Sequence, residues 1–169
     1  MARVFITGSA DGLGLAAAQT LLADGHKVVI HARSTSRLAA VRDLLERGAE
    51  VVVGDLSDLE ETRDVAAQVN RLGSMDAVIH NAGVISGPPV LPVNVVAPYL
   101  LTALIERPRR LIYLSSSMHR GGRARLSGMR GEEGRAAWTA RDDEFSCCGR
   151  SLALPGADFS GTSARSQAR

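Results

Sequence analysis

VFITGSADGLGLAAAQTLL, from Val4 to Leu22, carries an apolar, strand-like run straight into a turn holding Gly8, Gly12 and Gly14, and then into an alanine- and leucine-rich helical pattern. Glycine reaches backbone angles closed to other residues and has no Cβ, so a junction with three of them lets another group approach the main chain closely. A helix that starts at such a turn points unpaired N–H groups and its positive dipole end into the gap, which suits a phosphate. The junction reads as a ligand site between a strand and a helix.

The first 117 residues repeat this alternation. Runs at 3–7 (RVFIT), 27–31 (KVVIH), 50–54 (EVVVG), 76–80 (DAVIH) and 109–114 (RRLIYL) are near-continuously apolar, as strands covered on both faces must be. Helical patterns fill 13–24, 36–47, 58–71 and 93–106. Ser57 and Glu60 have the S-x-x-E spacing of a capping box, and Gly25, Gly48 and Gly73 follow the expected helix ends. Such alternation predicts right-handed βαβ units, hence an α/β, Rossmann-like, doubly wound parallel sheet of about five strands.

At 169 residues, with 45% apolar and 22% charged side chains, the chain has the composition of one soluble globular domain. No apolar run approaches the ~20 residues of a membrane span. The N-terminus lacks a signal-peptide pattern, so a cytoplasmic setting is expected. After 117 the rhythm stops: residues 118–169 contain no Val or Ile and three Leu, but nine Arg, eight Gly, the only Trp, and the adjacent Cys147 and Cys148. Nine Arg against six acids give this segment +3, while ten Arg and Lys27 against twelve acids give residues 1–117 a charge of −1. The arginines are scattered among acids without aromatic spacing for base stacking, so an irregular Arg/Gly-rich tail is expected here and not a nucleic-acid site. His26, His31, His80 and His119 have no ligand spacing, which favours packed or solvated roles over a metal site.

The glycine turn, Thr7-Gly8-Ser9-Ala10-Asp11-Gly12-Leu13-Gly14, follows a strand and opens a helix, as a dinucleotide-binding turn requires. Its spacing, Gly8-x3-Gly12-x-Gly14, resembles the turn of the short-chain dehydrogenase/reductase family. Further matches fall in the family's order: Asp55-Leu56 resembles its adenine contact, Asn81-Ala82-Gly83 its N-A-G motif, Asn94 its helix asparagine, and Ser116 its catalytic serine. The resemblance covers residues 1 to about 119 and implies a cofactor site at Gly8, Ser9, Asp11, Gly12, Leu13, Gly14, Arg33, Asp55, Leu56, Asn81, Ala82 and Gly83, with Ser116 and Asn94 as catalytic residues. Plainer roles stand beside these. The glycines can serve helix–strand packing, Asp55 and Asn94 can cap helices, and Asn81 with Gly83 can form a strand-ending turn.

Arg33 follows the second strand, where the adenosine ribose of a bound dinucleotide would lie. An acid there accepts from the 2′-hydroxyl of NAD, whereas an arginine pairs with the 2′-phosphate of NADP. With Ala32-Arg33-Ser34 and no acid, NADP(H) is expected over NAD(H), and Ser9 is expected to add a hydroxyl to that phosphate. The alternative is Arg33 as the solvated start of the next helix.

The resemblance implies hydride transfer between nicotinamide and a small carbonyl or alcohol substrate. It also implies a tyrosine, and a lysine four residues later, that move the proton. That pair is absent: the only tyrosines are Tyr99 and Tyr113, followed four later by Ala103 and Ser117, and the only lysine is Lys27. The segment from Asn81 to Asn94 is also short for the family. The tail composition fits G+C-rich sequence read in an altered frame. Impaired turnover is therefore expected, the alternative being a non-catalytic nucleotide-binding pseudoenzyme or a truncated or frameshifted product. A homo-oligomer covering the last strand is a further expectation.

Overall fold

The structure, a computed structural model, describes residues 1–116. The expected tail over 118–169 lies outside them, as do Ser117 and the two cysteines. Five strands form one parallel sheet: β1 (Arg3–Ile6), β2 (Lys27–Ala32), β3 (Glu50–Val53), β4 (Ala77–His80) and β5 (Arg110–Tyr113), in the order β3-β2-β1-β4-β5. Helices α1 (Gly12–Ala23), α2 (Arg42–Glu46), α3 (Leu59–Arg71) and α4 (Ala97–Leu104) connect them. The expected doubly wound α/β sheet is the observed fold.

The pleat divides the core into two layers, because successive side chains leave a strand on opposite faces. Phe5, Val29, Val52 and Val78 pack with Val65 and Val69 of α3 and Ala97 and Leu101 of α4. Val4, Ile6, Val28 and Ile30 pack with Ala18 of α1 and Leu44 of α2. The central strands are thus buried on both sides, which is why they read as unbroken apolar runs. β5 pairs with β4 alone among the described residues, and its Ile112, Tyr113 and Leu114 stay exposed.

Three local expectations are corrected. The helix expected at 36–47 is a 3-10 helix over Thr35–Val41 followed by the short α2. Its apolar residues, Leu38, Val41 and Leu44, recur every three positions and all join the second core layer, the period of 3-10 winding. The helix expected at 93–106 begins as a π-turn over Pro92–Val96. Pro98 has no N–H to return to the Asn94 carbonyl, so the ordinary α-helical bond is missing there. The cap of α3 is Asp58, one residue beyond Ser57: its carboxylate accepts from the Glu61 amide at 2.9 Å, while the Glu61 carboxylate accepts from the Asp55 amide at 2.7 Å. Gly25, Gly48 and Gly73 do end helical segments, all with positive φ.

Candidate functional site

At the carboxyl ends of the strands, where the chain leaves β1 for β2 on one side and β4 lies on the other, the sheet opens into a cleft of about 540 Å³. Gly8, Gly12 and Leu13 of the glycine turn line its floor, Arg33, Asp55 and Leu56 one end, and Ala82, Gly83 and Val84 the other. Connections that diverge to opposite faces leave a crevice of this kind at the switch in strand order.

The turn is held by side chains from neighbouring strands. Thr7 Oγ1 accepts from the amides of Asn81 (2.9 Å) and Ala82 (3.0 Å), and the Asn81 side-chain amide donates to the carbonyls of Thr7 (2.9 Å) and Gly8 (3.1 Å). His31 Nδ1 accepts from the Gly8 amide at 2.9 Å while its Nε2 donates to the Gly54 carbonyl at 2.8 Å. This pattern requires the neutral ring, and burial pushes the His31 pKa below its ordinary value, against the smaller opposing effects of Gly54 and Asp55.

The three glycines serve different ends. A Cβ on Gly8 would meet Ala82 Cα at 2.9 Å, and one on Gly14 would meet the Gly8 carbonyl oxygen at 2.6 Å, so both permit close packing. Gly12 has φ +54 and nothing within 4 Å of where a Cβ would stand. There the backbone conformation favours glycine, and the space above it is open. The packing alternative accounts for Gly14, which does not line the cleft, but not for Gly12.

Ser9 requires a correction. Its side chain is fully buried; Oγ donates to the Ile6 carbonyl at 2.8 Å and accepts from the His31 amide at 2.9 Å. Its own amide donates to the His31 carbonyl at 3.1 Å. Ser9 fastens the turn to β2 and offers no hydroxyl to a ligand.

At the Arg33 end, Asp55 accepts from the Ser57 amide (2.9 Å) and hydroxyl (2.7 Å). Burial raises its pKa, but the Ser57 hydrogen bonds and the nearby charge of Arg33 outweigh it, and the carboxyl stays below its ordinary range. With Asp58 as the cap, the capping role for Asp55 falls away. Arg33 is exposed. Arg37 also lines this end and forms an ion pair with Asp11.

At the far end, Asn94 sits in the π-turn and is not a cap: its Oδ1 accepts from the Val84 amide at 2.9 Å and its Nδ2 donates to the Val84 carbonyl at 2.8 Å. Asn94 thereby sets the course of the chain beyond Asn81-Ala82-Gly83. Ser116 is half-buried beyond the end of β5. No three potential ligands of the His, Cys, Asp or Glu type come together as a metal site among the described residues, and none of their helices is long and apolar enough to cross a membrane.

Residues 2–102 match the family described as short chain dehydrogenase. The chain belongs to that family. The short-chain dehydrogenase chyC of Penicillium rubens is 44% identical over 135 residues, covering 75% of this chain and 52% of that protein. A blue fluorescent protein from a metagenomic library, solved in complex with NADPH, matches with a TM-score of 0.61 and 26% identity, covering 75% of this chain and 60% of its own. A metagenomic short-chain oxidoreductase solved with NADP matches with a TM-score of 0.59 and 28% identity, covering 73% and 65%. The chain spans about half the length of the curated relatives it matches. The pattern of the sequence alone marks the turn and the Asn81 motif; it does not single out Arg37, His31 or the bridging role of Thr7.

Proposed function

We propose that this chain is an NADP(H)-binding short-chain dehydrogenase/reductase whose hydride-transfer chemistry is impaired. The observation that carries the reading is the exposed Arg33 in the same cleft as the open backbone over Gly12. The donor set fits the cofactor. The first turn of α1 contains no acid after the Asp11 cap, whose carboxylate is paired with Arg37, Asp55 and Leu56 suit an adenine, and Arg33 suits a 2′-phosphate. The two structural neighbours solved with NADPH or NADP support the same choice.

When bound, nicotinamide exchanges a hydride with a carbonyl or alcohol carbon. Ser116 would orient that oxygen, and Asn94 would act as a positioning residue through its grip on Val84. Neither supplies a proton donor comparable to a tyrosine assisted by lysine, and the sequence holds no Tyr-x-x-x-Lys. This favours the reading of a nucleotide-binding protein with little turnover over that of a competent carbonyl reductase. The edge of β5 that is unpaired among the described residues is the surface through which self-association is proposed.

Fluorescence titration with NADPH and NADH tests the binding reading. NADPH should bind more tightly, and Arg33→Ala should narrow the gap by about 1–3 kcal/mol. Equal affinities for the two nucleotides in the unaltered protein would reject it.

A further inference from the structure

Two arginines line the adenosine end of the cleft, and they stand differently. Arg33 makes no ion pair with a carboxylate among the described residues, whereas the Arg37 guanidinium is paired with the Asp11 carboxylate. Asp11 belongs to the glycine turn and Arg37 to the 3-10 helix after β2, so the pair bridges the two segments that flank this end. Both side chains are accessible, at 48% for Arg37 and 71% for Asp11. An exposed pair of this kind is weak, worth little against water and salt. A phosphate dianion offers a stronger and geometrically better partner to a guanidinium than one carboxylate does.

We infer that Asp11 and Arg37 form a charge exchange at the mouth of the cleft, in which the 2′-phosphate of NADP(H) takes Arg37 from Asp11. Arg37 is then a second reader of that phosphate, and Asp11 is the residue that tempers its strength. Two charges set the sign of the Asp11 effect. Its carboxylate occupies the guanidinium before the nucleotide arrives, and after the exchange it remains as an anion beside a dianion. Both disfavour NADP(H) and act far less on NAD(H), which carries an uncharged hydroxyl at the same place. The inference rests on the NADP(H) reading above and adds a specificity device to it.

The test is titration calorimetry of the full chain with NADPH, NADH and adenosine 2′,5′-bisphosphate, for the unaltered protein, Asp11→Asn, Arg37→Gln and the double variant. Asp11→Asn should tighten NADPH and the bisphosphate by about three- to tenfold and change NADH by less than about twofold. Arg37→Gln should weaken NADPH by about tenfold, Arg37→Lys should restore part of the loss, and Asp11→Asn should have a much smaller effect in the Arg37→Gln background. An unchanged NADPH-to-NADH ratio in Asp11→Asn overturns the exchange. The same gain with or without Arg37 also overturns it, leaving plain repulsion by Asp11. If the unaltered protein does not distinguish NADPH from NADH, the NADP(H) reading fails and this inference with it. If it does distinguish them, through Arg33 alone, only the exchange is lost. Both positions are exposed, so circular dichroism and the melting temperature should be unmoved in every variant.

Discussion

Thr7 Oγ1 stands where the amides of Asn81 and Ala82 converge, at 2.9 and 3.0 Å, so one hydroxyl ties the end of β1 to the loop after β4. The two segments are more than seventy residues apart in sequence, yet they frame opposite sides of one cleft. Replacing Thr7 by Val keeps the shape and removes the acceptor, leaving the part-buried Ala82 N–H unsatisfied and the Asn81 N–H with the Ile79 carbonyl, at 3.0 Å, in place of two acceptors. The expected loss is about 1–3 kcal/mol of folding stability for the orphaned group, with Thr7→Ser retaining most of it. Urea unfolding measures this. A Thr7→Val protein as stable as the parent would mean that water replaces the hydroxyl at no cost.

The glycine turn should separate conformational strain from crowding. Gly8→Ala meets both, at φ +62 and with Ala82 Cα 2.9 Å from the new Cβ; Gly12→Ala meets only the first. Left-handed backbone costs a non-glycine residue about 1–2 kcal/mol, and crowding against backbone adds about 1–3 kcal/mol. Gly8→Ala should therefore lower the urea midpoint distinctly more than Gly12→Ala. Gly12→Val should still fold while losing nucleotide affinity, because its branched side chain fills the open space. Equal stability losses at the two positions would contradict the geometry.

His80, at the end of β4, is buried, with Nε2 3.2 Å from Thr102 Oγ1, its ring stacked on Tyr113, and Nδ1 without a partner among the described residues. Burial lowers its pKa from 6.5 to about 4. Above pH 6.5 the ring is neutral whether the chain is folded or not, and it contributes no pH dependence. Below that, the unfolded chain takes up a proton that the folded protein refuses, so stability falls as pH drops toward 4, by up to about 3 kcal/mol. His31, displaced in the same direction by burial, adds to the trend. Urea midpoints at pH 7.5 and pH 5 should differ accordingly, and His80→Gln should flatten the difference. An unchanged pH slope in that variant would assign the effect elsewhere.

The strand pattern carries most of the fold because a doubly covered parallel strand has to be apolar throughout, and five such runs left little choice of sheet. The details that escaped depend on partners distant in the chain. Ser9 looks like a turn hydroxyl available to a ligand, and only the proximity of His31, twenty-two residues on, shows that it points inward. Arg37 in a helical stretch reads as an ordinary surface charge until the fold brings Asp11 beside it. The π-turn before α4 did have a local signal, Pro98 four residues after Asn94, since proline cannot return the helical bond. Asp58 outcompeted Ser57 as the cap because the Ser57 hydroxyl is already donated to Asp55.

Catalysis supplies the last expectation. Reduction of a carbonyl leaves negative charge on oxygen, and a positioned general acid is worth roughly 10²–10⁴-fold in rate. In this chain the tyrosines are Tyr99, exposed on α4, and Tyr113, whose hydroxyl is 2.6 Å from Thr102 Oγ1. Lys27 opens β2, at the end of the strand opposite the cleft. None of these combines into a tyrosine with a lysine one helical turn later. With NADPH and a panel of aldehydes and ketones, the purified chain should bind nucleotide yet oxidise it at 340 nm no faster than a control without protein. Ser116→Ala should leave that baseline unchanged, because orienting the carbonyl gains little where no acid completes the transfer. Robust turnover that falls sharply in Ser116→Ala would require a proton donor from elsewhere in the chain, and the impaired-enzyme reading would give way to that of a working reductase.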